Sequence, residues 1–141
     1  MRYICIRQQD EMDCGAACLA SVAGHYGLKM PVARLRRLAG TDREGTSIYG
    51  LVKAAEKLGF TAKGMKGDPG ALLSDIPLPA IAHVIKDGNI LHFMVLYEIT
   101  EERVTAADPA RGIVKYSFQD FVSIWTGALI FIDPGSHGTA V

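Results

Sequence analysis

The hydrophobic pattern of this sequence changes its period near residue 60, and that change limits the folds available to the chain. Up to Gly59, apolar side chains recur at the three-to-four-residue spacing of helices. Beyond it, apolar stretches of strand length, such as Ile90–Ile99, alternate with turn residues. This order predicts an α+β fold, in which N-terminal helices pack on a C-terminal antiparallel β-sheet.

Capping and turn residues mark the ends of the predicted elements. Asp13 is expected to cap a helix over Cys14–Tyr26, because a short side-chain acceptor satisfies N–H groups of the first turn. A second helix is predicted from Pro31 to near Gly40, and a third from a Thr46 or Ser47 cap to Gly59. The later predicted elements are strands at Phe60–Met65, Pro79–Ile85, Ile90–Ile99, Arg103–Ala107, Ile113–Tyr116 and Ala128–Ile132, with a helix over Ser117–Trp125.

Composition narrows the classes of function. The 141 residues carry 15 basic and 15 acidic side chains, so the chain lacks the positive charge that binds nucleic acids or anionic membranes. No apolar stretch approaches the roughly 18 residues of a membrane-spanning helix. Three cysteines are too few for a disulfide framework. We therefore expect one soluble intracellular domain over residues 1–134, with residues 135–141 as a linker or tail.

Cys14 is the first candidate for chemistry. It lies at the start of the first predicted helix, where partial positive charge and free N–H groups favour the nucleophilic thiolate. The small residues Gly15 and Ala16 that follow it leave room for a substrate. The alternative is a buried structural cysteine, which is the interpretation that we give to Cys5 and Cys18.

A thiolate nucleophile needs a base, and His92 is the best placed of the four histidines. If the chain folds back about Thr100, His92 lies opposite Asp108, close enough for a carboxylate–imidazole hydrogen bond. His25 is about 16 Å from Cys14 along the same helix. His83 lacks a comparable acidic partner, and a structural His92–Asp108 pair is the alternative.

Together these residues suggest a cysteine hydrolase, in which a carboxylate orients the base. Such an enzyme also needs hydrogen-bond donors for the oxyanion. The amide of Gln8 or of Gln9 could supply one, and the residue pattern alone does not choose between them.

The segment Gln8–Ala20 (QQDEMDCGAACLA) resembles the active-site segment of bacteriocin-processing peptidase domains. These are papain-like cysteine peptidases that act on double-glycine leaders in peptidase-containing ABC transporters. Gly45–Phe60 resembles the next helix of that family, and His92-Phe93 and Asp108-Pro109 resemble its His and Asp motifs. The similarity extends from Ile4 to Pro134. It implies that Cys14 is the nucleophile, His92 the general base, Asp108 the orienting carboxylate and Gln8 the oxyanion donor.

The resemblance also implies a substrate and partners. The expected reaction is cleavage of a precursor peptide after Gly-Gly, and the expected partners are the transmembrane and nucleotide-binding domains of an ABC transporter. No cofactor is expected for the peptidase domain, since ATP would bind only to the transporter, and the expected location is the cytoplasmic side of the bacterial membrane. An amphipathic leader helix would bind through apolar contacts. The candidate residues for these contacts are Ile48, Leu51, Ala55 and Met65.

Two other functions compete with this one. A non-proteolytic leader-binding module would bind the same peptide without cutting it. A metal or redox site could use Cys14, Cys18 and His25, although no CxxC motif is present. Acidic residues near the nucleophile (Asp10, Glu11 and Asp13) are expected to oppose thiolate formation, so we expect a bell-shaped pH–rate profile with a neutral-to-alkaline optimum.

Overall fold

A computed structural model describes residues 3–41 and 46–134. The predicted linker or tail at residues 135–141 lies outside these ranges. Within them, N-terminal helices pack on a six-stranded antiparallel sheet, which confirms the predicted α+β fold. No helix in these two ranges is both long and apolar enough to cross a bilayer.

The helical half contains three α-helices: α1 (Cys14–His25), α2 (Val32–Ala39) and α3 (Ile48–Lys57). The Ser47 hydroxyl accepts a hydrogen bond from the Gly50 N–H at 2.9 Å and so caps α3, as predicted. Gly40 ends α2 in the left-handed region, at φ 69° and ψ 34°, which glycine adopts without steric cost.

The start of α1 differs from the prediction. A short 3-10 turn, Glu11–Asp13, precedes α1, and the Asp10 carboxylate caps this turn by accepting from the Met12 N–H at 2.9 Å. Asp13 occupies the N-cap position of α1 but makes no side-chain cap hydrogen bond. The predicted capping role of Asp13 is therefore wrong, because its carboxylate binds Arg36 instead.

The second half of the chain forms the sheet, with strand order β1-β6-β2-β3-β4-β5. Two short helices, α4 (Pro69–Leu72) and α5 (Phe118–Ile124), connect strands. The strands are β1 (Thr61–Lys66), β2 (Ala80–Lys86), β3 (Ile90–Ile99), β4 (Arg103–Asp108), β5 (Gly112–Ser117) and β6 (Trp125–Asp133).

Two apolar layers cover the two faces of the sheet. Along β3, Phe93 and Val95 belong to the layer shared with α1, whereas Met94 and Leu96 belong to the layer shared with α5. Helix α1 is the centre of the first layer, since ten of its twelve residues are buried. This burial fixes the start of α1 against the sheet, and with it the position of Cys14.

The register between β3 and β4 corrects the predicted geometry of the hairpin. Val95 pairs with Ala107, and Leu96 with Ala106, before a bulge shifts the pairing towards the turn. Continued outwards, this register places Met94 rather than His92 opposite Asp108. His92 is therefore a diagonal neighbour of Asp108 on the same face, a spacing that long side chains can span.

Gly50 lies where α3 approaches the end of α2 closely. A Cβ atom at this position would overlap the backbone carbonyl oxygen of Ala39. We expect Gly50→Ala to lower the free energy of unfolding by about 3 kcal/mol, despite the better helix propensity of alanine. Urea denaturation measures this, with Gly70→Ala as the control, because a Cβ there meets only the Asp68 side chain at 3.3 Å. Equal stability of the two variants would contradict this packing.

Candidate active site

Cys14 is the first residue of α1, and the residue is 7% exposed. The helix begins there because the capped 3-10 turn delivers the chain in helical geometry, at φ −58° and ψ −42°. Its thiol therefore lies beside the positive end of the helix, as the sequence predicted. Gly15, which follows Cys14, fits closely under α3, since a Cβ on it would lie 3.3 Å from Leu51 Cδ1.

Asp108, at the end of β4, is fully buried and organises the opposite wall of the site. Its Oδ1 accepts from His92 Nε2 at 2.7 Å and from the Ala110 N–H at 2.8 Å, and its Oδ2 accepts from Lys86 Nζ at 2.7 Å. Burial alone would raise the pKa of Asp108, but these three donors hold it well below its usual range. Asp108 is therefore a carboxylate at neutral pH.

His92 connects the carboxylate to the thiol. The Nε2 of His92 is bound to Asp108, so Nδ1 is the ring nitrogen left for Cys14, which also interacts electrostatically with the ring. Burial lowers the pKa of His92, but hydrogen bonds to Asp108 and to Cys14 outweigh it and raise the pKa to about 9. An imidazolium at neutral pH stabilises a neighbouring thiolate.

Gln8 approaches the same site from the N-terminal segment. Its backbone N–H donates to the Pro109 carbonyl at 2.9 Å, and its Nε2 donates to the Asp10 carbonyl at 3.0 Å. A primary amide carries two N–H donors, so one N–H of Nε2 remains for another acceptor. Within residues 3–41 and 46–134, Gln8 Oε1 is the one buried side-chain polar atom without a partner. Gln9 is exposed.

A cleft of about 590 Å³ joins these groups. Gln8, Cys14 and His92 line it, together with apolar residues of the β2–β3 hairpin. Ile90 and Leu91 are the most exposed of these, at 58% and 60%. An open cleft lined by both apolar and polar side chains suits an extended peptide, whose side chains and backbone present both kinds of group.

The four residues proposed for leader contacts lie in different environments. Leu51 and Ala55 are completely buried in the layer between α1 and the sheet. The expectation that they contact a leader is therefore wrong. Their helical spacing reflects the face of α3 that packs into the core, not a face that binds a peptide. Ile48 is partly buried, and Met65 on β1 is 41% exposed.

The structure gives His25, His83 and Cys18 contacts of their own, and His83 also lines the cleft. His25 contacts the rings of Tyr26 and Tyr97. His83 Nδ1 lies 3.1 Å from Thr126 Oγ1, and burial, with a smaller contribution from Lys66, lowers its pKa. Cys18 is buried, and burial raises its thiol pKa well above the usual value. In the part of the chain that the structure describes, no group of three or more His, Cys, Asp or Glu side chains could hold a metal.

Sequence reasoning missed two charged partners of the site, Lys86 and Arg36. Lys86 ends β2 next to the Asp87-Gly88 turn, and both turn residues have positive φ, 50° and 88°. That hairpin brings Lys86 to Asp108, a contact that required the register of β2 and β3 to be known. Arg36 is one of three arginines in α2, and no local pattern distinguishes it from Arg37.

A thiol at a helix start, an imidazole and a buried carboxylate, on helices packed against an antiparallel sheet, together define a papain-like cysteine hydrolase. The family comparison agrees with this class, because the model of the family described as "Peptidase C39 family" matches residues 2–137. The chain belongs to the Peptidase C39 family, which confirms the resemblance noted in the sequence.

Individual relatives extend this result. The chain is 45% identical over 130 residues to the lactococcin-G-processing and transport ATP-binding protein LagD of Lactococcus lactis subsp. lactis, an alignment that covers 92% of this chain but 18% of LagD. The peptidase domain of Streptococcus ComA, a bi-functional ABC transporter involved in a quorum-sensing pathway, superimposes with a TM-score of 0.89 and 39% identity, covering 94% of this chain and 99% of that domain. A double glycine motif protease from an AMS/PCAT transporter, solved in complex with the leader peptide, gives a TM-score of 0.85 and 32% identity, covering 92% and 90%.

We expect His92 to titrate at an apparent pKa of about 9 in the folded protein. Asp108→Asn removes the carboxylate charge, so the pKa of His92 should fall from about 9, because burial then opposes only the contribution of Cys14. Titration of the histidine Cε1–H signals by NMR measures both values.

His83 is the internal control of this titration, since its lowered pKa depends on burial and on Lys66 and not on Asp108. A His92 signal that titrates near 6.5 in the unsubstituted protein, or that does not move in Asp108→Asn, would contradict this electrostatic description.

Proposed function

We propose that this domain is a cysteine endopeptidase that removes the leader from precursor peptides by cutting after a Gly-Gly pair. The observation that carries the proposal is the buried 2.7 Å hydrogen bond between His92 and Asp108, next to the Cys14 thiol. The similarity to processing and transport proteins, and to a protease solved with its leader peptide, supports the same activity.

In the proposed mechanism, Cys14 Sγ attacks the carbonyl carbon of the second glycine as a thiolate. The tetrahedral intermediate collapses to a thioester, the peptide C–N bond breaks, and the His92 imidazolium gives its proton to the departing amine. Neutral His92 then takes a proton from water, which attacks the thioester and releases the leader as a carboxylic acid. The proton on His92 restores the imidazolium–thiolate pair.

Gln8 is proposed to stabilise the oxyanion that forms in both halves of this reaction. Its free Nε2 hydrogen and the backbone N–H of Cys14 would be the donors. The hydrogen bond from the Gln8 N–H to Pro109 supports this role, because it holds Gln8 next to the end of β4, which carries Asp108. Preorganised donors of this kind stabilise the transition state more than the substrate.

Glycine at the two positions before the cut has a physical reason. The sulfur lies at the start of a closely packed helix, so a substrate Cβ near the attacked carbonyl would collide with the walls of the site. Two glycines have no side chains that could contribute affinity, so the leader helix must bind elsewhere. The remaining candidates for this contact are Met65, which is exposed, and Ile48, which is partly buried.

The transporter context is part of the proposal. The chain spans 18% of the length of LagD, a processing and transport ATP-binding protein. We propose that the domain acts next to the transmembrane and nucleotide-binding domains of an ABC transporter, on the cytoplasmic side of a bacterial membrane. It would need no cofactor of its own, since ATP would serve only the transporter.

Cys14→Ala should abolish cleavage of a Gly-Gly precursor, with a loss of about 10⁶-fold in kcat. Leader binding, measured by fluorescence anisotropy, should stay within about threefold of the unsubstituted protein, because the leader helix would bind away from the sulfur. Mass spectrometry of the products reads the cleavage position. Cleavage by Cys14→Ala would refute the nucleophile, and binding without cleavage by the unsubstituted protein would identify a leader-binding module.

Gln8→Ala should lower kcat by about 10²–10³-fold and leave KM nearly unchanged, since the oxyanion exists only in the transition state and the intermediates. Gln9→Ala is the matched control: the neighbouring side chain is chemically identical but exposed, and its removal should change neither constant. Equal losses in the two variants would contradict the assignment of Gln8.

A further inference from the structure

The carboxylate next to the nucleophile is held by an arginine from another helix. Asp13 is fully buried, and its Oδ1 and Oδ2 accept from Arg36 Nε at 2.6 Å and from Arg36 Nη2 at 2.7 Å. Both carboxylate oxygens are thus engaged in a planar, two-bond pair. Arg36 belongs to α2, so the contact crosses from one helix to the start of another.

This arrangement is unusual for an aspartate at a helix N-cap. Such a residue normally turns its carboxylate onto the first N–H groups of its own helix, but Asp13 makes no hydrogen bond of this type. A carboxylate in the capping position would occupy the positive end of α1 and add negative charge beside the Cys14 sulfur. Both effects disfavour a thiolate.

We propose that Arg36 is a positioning residue for the cysteine: it draws the Asp13 carboxylate away from the start of α1 and neutralises it, so that the helix terminus remains available to the Cys14 thiolate. The inference rests on the proposed function, which uses that thiolate. It also revises the expectation that Asp13 simply opposes thiolate formation, because the charge of Asp13 is paired.

The other charged or titratable groups around Cys14 come from every element packed against it. His92 on β3 faces the sulfur, with Asp108 on β4 and Lys86 on β2 behind it. Cys18 lies one turn along α1, Asp10 lies in the N-terminal segment, and Asp87 lines the cleft. The residues of and before α3 that touch Gly15 are Thr46 and Leu51, which carry no charge. Apart from Arg36, none of these groups contacts the Asp13 carboxylate through a hydrogen bond in the described residues.

The test is the pH dependence of alkylation of Cys14 by iodoacetamide, read on the Cys14 peptide by mass spectrometry. Alkylation reports thiolate without any peptide substrate. In Arg36→Met, the unpaired Asp13 should move the half-maximal rate to higher pH by about one unit. At pH values below both midpoints, where the rate is proportional to the thiolate fraction, the rate should fall about tenfold as a result. Arg36→Lys keeps the charge but not the two-bond geometry, and should move the midpoint in the same direction by less.

Two controls separate this effect from a structural one. Arg37→Met changes the exposed arginine next to Arg36 in the same helix and should leave the midpoint unchanged. The double variant Asp13→Asn with Arg36→Met removes the carboxylate as well and should return the midpoint to that of the unsubstituted protein. Circular dichroism establishes which variants are folded.

An unchanged midpoint in every folded Arg36 variant would overturn the inference, and so would a double variant that remains shifted. Either result would leave the proposed function intact if unsubstituted Cys14 still reacts as a thiolate at neutral pH. If Cys14 of the unsubstituted protein did not react as a thiolate at neutral pH, that result would instead count against the proposed function itself.

Discussion

The end of β4 is the part of the structure on which the site depends. Asp108 is buried and ionised there, with His92, Lys86 and the Ala110 N–H as its donors. The two residues that follow it hold the N-terminal segment. The Pro109 carbonyl accepts from the Gln8 N–H and from Arg7 Nε, and the Ala110 carbonyl accepts from Arg7 Nη2. One short segment thus orients the imidazole and positions the amide, and a buried carboxylate could not be tolerated there without its donors.

The thiol depends on a second constraint, the burial of α1. Small side chains at its start allow close packing against α3, and the apolar residues that follow pack on the sheet. Cys14 is thereby held rigidly next to His92, although the two residues belong to opposite halves of the chain. The helices supply the nucleophile, and the sheet supplies the base and its carboxylate. The site therefore forms only where the helices meet the sheet.

Local chemistry made much of this fold predictable. Ser47 and Gly40 act as a cap and a helix end because their own side chain or backbone favours those positions. Contacts between distant parts of the chain were not predictable in the same way. Asp13 had two possible partners, and the packing of α2 decided for Arg36. A bulge after Leu96 shifts the register of β3 against β4. The apolar face of α3 is buried in the core at Leu51 and Ala55. The catalytic candidates were found because their residue types and order are distinctive, while Lys86 required the finished sheet.

The most direct test of the account is to capture the covalent intermediate. A Gly-Gly precursor is mixed with the protein, quenched in acid within one turnover and digested, and the cysteine-containing peptides are analysed by mass spectrometry. The proposed mechanism predicts a thioester between the leader carboxyl terminus and Cys14 that appears before free leader and disappears as leader accumulates. An adduct on Cys5 or Cys18, or leader release in full without any adduct on Cys14, would contradict it.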